Sequence, residues 1–284
     1  MHNPLNDAST HNFILASLAE DIGSGDHSSL ASIPRGTKGR AKLLIKDDGI
    51  LAGVALAEKI LLTVDPEIQA EISIPDGAEV KKGDVAMTVT GDVHSILKSE
   101  RLLLNCAQRL SGIATATRKL VKLVEGTGAK ILDTRKTTPG LRMLEKWAVT
   151  IGGGYNHRFG LYDMIMLKDN HIDYAGGISS AVTRTRQYLN EKQLKLKIEV
   201  ETRNLDEVKQ ALEVGGVDRI MLDNFSPAEL KIAVDFIAGR CETEASGGIT
   251  ADNIRAYAET GVQYISVGFI THSVKSLDIS LKEF

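Results

Sequence analysis

Residues 196–223 read LKIEVETRNLDEVKQALEVGGVDRIMLD, and the order of their parts decides the fold class. A short apolar run ends at Val200, a helix-compatible stretch follows, and a second run, DRIML at 218–222, closes the segment. The same rhythm extends both ways. AKILD (129–133), DMIML (163–167), ETEAS (242–246) and QYISV (263–267) are further short runs, each followed by a helix-compatible stretch. Such alternation implies parallel βαβ units. The polar residues at the run ends are Asp133, Lys168, Glu201, Asp223, Ser246 and Gly268, separated by 35, 33, 22, 23 and 22 residues. Each step is close to one strand–helix unit, and in an α/β barrel the C-terminal strand ends form the active-site face. Six runs rather than eight imply a barrel that is incomplete or that hides strands in the glycine-rich stretch. An open doubly wound sheet is the alternative.

The preceding half has a different rhythm. From Leu43 to Thr90, LLIKDDGILAG, EIQAEISIPDG and VAMTVTGD are short β-like runs broken by Asp-Gly and Lys-Gly-Asp turn signals. Asn12 to Glu20 reads as an amphipathic helix, and Ser95 to Val124 as one long helix or two shorter ones. The expected organisation is an α/β domain over residues 1–125, an α+β sandwich with helices, and a barrel domain over 126–284. The C-terminal tail is a candidate to pack back on the first domain.

Composition narrows the function. The chain has 284 residues, is 43% hydrophobic and 25% charged, and carries a net charge of −3. That is ordinary for a globular protein and argues against a general nucleic-acid binder, which would carry a basic excess. Two cysteines, Cys106 and Cys241, cannot build a disulfide framework and read as thiols in a reducing compartment. The N-terminal MHNPLNDAST lacks a signal pattern, and no apolar run approaches membrane-spanning length. A cytoplasmic protein with no membrane partner is the expectation.

Against that acidic background, Arg135, Lys136, His157, Arg158 and Lys168 fall in one window, 133–168, together with Gly152 to Gly154. Guanidinium groups bind carboxylates and phosphates through paired hydrogen bonds, and ammonium groups act as point charges. The window reads as a well for a strongly anionic ligand. Taken alone, Arg135 and Lys136 fit solvated side chains on a helix capped by a threonine before Pro139, and His157 is weak. Lys168 carries more, because Asp169 and Asn170 already supply the turn after its strand. Glu199 and Glu201 lie two apart on a strand, so both face the interior. A salt-bridge network with interior lysines is the plain reading of Glu199. Asp223 with Asn224 repeats the pattern. Ser246-Gly247-Gly248 ahead of a helix expected from Thr250 suits a phosphate, as does Gly268.

Together, TRKTTPG, KWAV, GGGYNHRFGLYDMIMLKDNHI, IEVE, LDNF, EASGGI and SVGFITHS resemble quinolinate phosphoribosyltransferase. EDIGSGDHSS, GILAG and ERLLLNCAQRLSGIAT extend the likeness over nearly the whole chain. Segments around His27 and Asn105-Cys106-Ala107 depart from the family pattern, where no chemistry is assigned. The resemblance implies a sandwich joined to an incomplete α/β barrel, working as a homodimer or larger assembly. It implies transfer from phosphoribosyl pyrophosphate to quinolinate, with magnesium, giving nicotinate mononucleotide, pyrophosphate and CO2. It places Thr134, Arg135, Lys136, His157, Arg158 and Lys168 around quinolinate, with Arg101 reaching in from the partner subunit. Lys136, Glu201 and Asp223 become catalytic, the two acids also meeting ribose hydroxyls or magnesium, directly or through water. Ser246, Gly247, Gly248 and Gly268 would hold the 5′-phosphate. Two rivals remain: a related enzyme using nicotinate or another base, and a silent anion-binding scaffold.

Overall fold

A computed structural model describes residues 4–284; the first three residues of the N-terminal stretch lie outside it. The chain divides into two compact units. The first comprises residues 1–118, 137–153 and 270–284, and the second 119–136 and 154–269. The boundary expected at residue 125 therefore moves, and two later segments belong to the first unit.

In the first unit, strands β1 (Lys38–Ile45), β2 (Gly49–Ile50), β3 (Gln69–Ile72), β4 (Glu79–Val80) and β5 (Val85–Asp92) alternate with turns. Residues 279–283 return as a strand that pairs antiparallel with β1, with Leu43 opposite Leu281. β1 pairs on its other side with β5, and β5 with β3, so the sheet is antiparallel throughout. Apolar residues alternate along β1, where Ala41, Leu43 and Ile45 are buried. The helices are α1 (Ala8–Ile22), α2 (His27–Ser32), α3 (Val54–Val64), α4 (Val93–Leu123) and α5 (Arg142–Ile151). α4 is a single helix that runs on into the second unit. Sequence reasoning passed over α3, although Val54, Ala57, Ile60 and Leu61 give helical spacing and all are buried. The threonine cap and the Pro139 first turn are not formed. α5 starts at Arg142, and the Thr138 N–H donates to Glu145 Oε2 instead.

The second unit holds six parallel strands: β6 (Lys130–Leu132), β7 (Ile165–Leu167), β8 (Ile198–Thr202), β9 (Arg219–Asp223), β10 (Glu242–Ser246) and β11 (Tyr264–Ser266). Their order is β6-β11-β10-β9-β8-β7. First pairs with last, Ile131 standing opposite Ile265, as in a ring. A doubly wound sheet does not join its ends in this way. The ring stays open between β6 and β7, where Tyr155 bridges to Leu132. The fold is an incomplete α/β barrel. Helices α6 (Asp169–Ala175), α7 (Ile178–Glu191), α8 (Leu205–Val214), α9 (Pro227–Ile237) and α10 (Ile254–Ala258) follow successive strands. Ile198, Val200, Ile220 and Leu222 are buried, as are Val208, Ala211, Leu230 and Ala233 on the helices. Period-two alternation then sends Glu199 and Glu201 to the barrel interior.

Candidate active site

The pocket is assembled by one buried acid. Asp133, fully buried just past β6, accepts a hydrogen bond from the His157 N–H at 2.8 Å and from Asn156 Nδ2 at 2.6 Å. That clamp fixes the 155–158 loop against the turn that carries Thr134, Arg135 and Lys136. The turn is closed by the Lys136 N–H donating to Thr134 Oγ1 at 3.0 Å. Arg158 extends Nη1 to the Met164 carbonyl, 3.2 Å away. Burial and then the Arg135 charge hold the Arg158 guanidinium below its ordinary pKa. Among the described residues, the buried Nε of Arg135 has no hydrogen-bond partner. Glu199 and Asp163 act on Arg158 in the opposite sense. Two neighbouring guanidiniums with a buried donor unused are a candidate anion site, one that a dicarboxylate could satisfy.

Around the same strand ends lie the remaining candidates. Lys168 follows β7, and its Nζ lies 3.1 Å from Glu201 Oε2 on β8. Those two residues therefore hold each other. Asp223 ends β9 and accepts from Asn224 Nδ2 at 2.6 Å. The turns after β9 and β10 interlock, the Asn224 N–H donating to the Ser246 carbonyl at 2.8 Å. Gly247 has φ +91°, and a Cβ there would strike the Asn224 side chain. Gly248, at φ +63°, faces open space. Only glycine fits such a turn, and its exposed backbone leaves N–H groups open to an anion. The helix expected from Thr250 begins later, at Ile254. The turn itself, not a helix end, is the candidate cradle. Gly268 follows β11, whose neighbours are β10 and β6.

Beneath this mouth the barrel carries charge where apolar layers are usual. Glu199 on β8 and Glu244 on β10 are fully buried. His157 Nε2 lies 3.0 Å from Glu199 Oε2 and 3.5 Å from Glu244 Oε1. Glu199 meets His157 rather than an interior lysine. Arg219 Nη1 on β9 donates to Glu244 Oε2 at 2.8 Å. Burial pushes Glu199 up to about 7 and Glu244 up to about 8, the second aided by the charge of the first. His157 Nδ1 accepts the Arg158 N–H at 2.7 Å. The ring is thus turned into the barrel, where it braces Arg158. Sequence reasoning missed Asp133, Arg219 and Glu244 in these roles. The parity that paired Glu199 with Glu201 also pairs Glu244 with Ser246 and would have found Glu244.

Two groups of residues could hold a metal ion. His157, Glu199 and Glu244 place ligand atoms within 4.8 Å of one another, but the Arg219 guanidinium on Glu244 opposes a dication there. Glu201 and Asp223 present carboxylate oxygens at neighbouring strand ends, the donor type magnesium takes when phosphates supply its other ligands. This second pair has the donor type for magnesium, provided that the exposed Lys168 ammonium gives up Glu201.

Arg101 belongs to the first unit, exposed on α4 beside a cavity of about 280 Å³. The neighbouring acid Glu145 is already held by Arg109 at 2.6 Å. Among the described residues Arg101 has no ion-pair partner, so it stands as an uncommitted cation.

Fold and site together define an α/β-barrel enzyme that takes polyanionic substrates at its strand ends. Comparison with known proteins gives the family. Residues 26–111 match "Quinolinate phosphoribosyl transferase, N-terminal domain" and residues 113–282 match the C-terminal domain of the same family. The chain belongs to the quinolinate phosphoribosyl transferase family. It is 49% identical to quinolinate phosphoribosyltransferase [decarboxylating] 1b of Nicotiana tabacum, covering 95% of this chain and 81% of the relative. The probable nicotinate-nucleotide pyrophosphorylase [carboxylating] of Bacillus subtilis is 46% identical, covering 92% of this chain and 89% of that one. The solved structure of the nicotinate-nucleotide pyrophosphorylase from Francisella tularensis superposes with a TM-score of 0.92 at 39% identity, covering all of both chains.

Proposed function

We propose that the protein transfers the phosphoribosyl group of phosphoribosyl pyrophosphate to quinolinate with decarboxylation, yielding nicotinate mononucleotide, pyrophosphate and CO2 for NAD synthesis. It is a pentosyltransferase. The observation that carries the substrate is the Arg135–Arg158 pair with its unused buried donor. A dicarboxylate matches two guanidiniums better than nicotinate, which has a single carboxylate.

Arg135 and Arg158, with Thr134 and Lys168 at the rim, bind the dicarboxylate, and Lys136 stands between the two substrates. Ser246, Gly247, Gly248 and Gly268 hold the 5′-phosphate on their turns. As pyrophosphate departs, the C1′–O bond breaks, and the ribose becomes oxocarbenium-like. Glu201 and Asp223 stabilise that developing positive charge. Glu201 and Asp223 would hold magnesium, whose charge would offset that of pyrophosphate. The ring nitrogen bonds to C1′, and its positive charge then draws off the electron pair left when the adjacent C–CO2 bond breaks. A proton takes the place of the lost carboxylate. No side chain has to act as a strong base.

The protein works as a homodimer in which Arg101 of one subunit completes the partner's pocket, a reading supported by the exposure of Arg101 beside a cavity. We assign it to the cytoplasm, supported by two free thiols. No helix of the described residues is long and apolar enough to cross a membrane. Incubation with quinolinate, phosphoribosyl pyrophosphate and magnesium should release CO2 and nicotinate mononucleotide. Turnover of nicotinate but not quinolinate would overturn this reading, and tight binding without turnover would mark a silent scaffold.

A further inference from the structure

The transfer chemistry does not use the charged residues inside the barrel, yet these residues make a continuous chain toward the pocket. Arg219 donates to Glu244 through Nη1 at 2.8 Å, and to Glu242 through Nε and Nη2 at 3.2 and 3.0 Å. Glu244 Oε1 lies 3.5 Å from His157 Nε2, the ring nitrogen that Glu199 also faces. Both buried carboxyls thus converge on one ring nitrogen, and burial raises the pKa of each. Glu199 lies 3.0 Å from His157 Nε2. Because Nδ1 of that ring accepts the Arg158 N–H, its single proton sits on Nε2 and faces the carboxyl pair. The His157 N–H is tied to Asp133, so ring and backbone are both fixed. Arg158, next in the chain, carries the guanidinium assigned to the dicarboxylate.

We propose that Glu244 and Arg219 are positioning residues: through Glu199 and His157 they set the backbone at Arg158 and so the affinity of the pocket for its dicarboxylate. A divalent cation on His157, Glu199 and Glu244 is the competing use of these groups. The Arg219 guanidinium, 2.8 Å from Glu244, argues against a dication there. The inference rests on the dicarboxylate reading of the Arg158 pocket.

Glu244→Gln and Glu244→Leu test it. A carboxamide still accepts from Arg219, so Glu244→Gln should keep the KM for quinolinate within about threefold of the parent. Leucine breaks the chain, and small displacements of a binding group are costly. Glu244→Leu should raise the KM for quinolinate roughly 10- to 100-fold, while kcat and the KM for phosphoribosyl pyrophosphate move by less than about threefold. Loss of folded protein would lower apparent kcat and leave both KM values alone. Nitrogen-15 NMR should find His157 as the Nε2–H tautomer in the parent and in Glu244→Gln, and a mixture in Glu244→Leu. If Glu244→Leu does not fold, Arg219→Lys, which keeps the charge and loses the fork, carries the same selective rise in quinolinate KM. An unchanged quinolinate KM, an equal rise in both KM values, or a stoichiometric bound metal lost in Glu244→Gln would overturn the proposal. Parent turnover is measured first. Its absence would sink the assigned reaction, leaving the His157 tautomer as the separate test of the chain.

Discussion

Arg158→Lys removes geometry while keeping charge. In the folded protein the Arg158 guanidinium is partly buried, spends one donor on the Met164 carbonyl and is opposed by Arg135. Its other donors are those proposed to make two-point contact with a carboxylate. Lysine places an ammonium near the same spot but makes one directed contact in place of two. A hydrogen bond to a charged group contributes about 1.5–3 kcal/mol, so the KM for quinolinate should rise roughly 10- to 150-fold. The KM for phosphoribosyl pyrophosphate should stay within about threefold, since its phosphate turns lie after β10 and β11. Losing the Met164 contact should also lower stability by about 1 kcal/mol. Initial rates with each substrate varied in turn measure the split, and phthalate, a dicarboxylate with no ring nitrogen, reports binding without turnover. Phthalate should compete well and benzoate poorly in the parent, and the gap should narrow in the variant. A parent inhibited equally by both acids, or a variant with an unchanged quinolinate KM, would refute a pocket built on two guanidiniums.

Three further outcomes follow from the same geometry. Lys136 is exposed, so Lys136→Ala should keep the circular dichroism of the parent and lose about 10²–10³ in kcat; near-normal turnover would remove it from catalysis. Glu244 is raised from an ordinary 4.5 to about 8, so its contribution to stability is complete below about 4.5 and is lost as pH rises through about 8. Glu244→Gln does not titrate, so in urea unfolding it should gain on the parent by roughly 1–3 kcal/mol between pH 5 and 9, and a constant difference would place the proton elsewhere. If Arg101 serves the partner's pocket, Arg101→Ala and Lys136→Ala dimers should each be nearly inactive, while subunit exchange between them should restore activity at the one site free of both changes. Exchange confirmed by mass spectrometry without recovery would disprove the shared site.

What could be read from the chain follows the range of the interactions involved. The six strands and their interior-facing residues were legible because parity and spacing are local properties: DMIML, LKIEV and DRIML announce β7, β8 and β9 without reference to anything distant. The ring order was not local. Pairing of β6 with β11 joins residues some 130 positions apart, and only its outcome excludes the doubly wound sheet. The C-terminal tail does return to the first unit as expected, residues 279–283 pairing with β1, whereas residues 137–153 join that unit through contacts no periodicity records. At the site, the cations were visible by type, whereas their wiring was not. Asp133 looked like a strand-end polar residue and is in fact the clamp that turns His157 inward and brings Arg158 beside Arg135. His157 was placed around the substrate on resemblance, yet its ring nitrogens face the Arg158 N–H and Glu199. A histidine so held serves better to orient the guanidinium than to touch a ligand. The pocket's selectivity for two carboxylates then depends on buried acids that never meet the substrate.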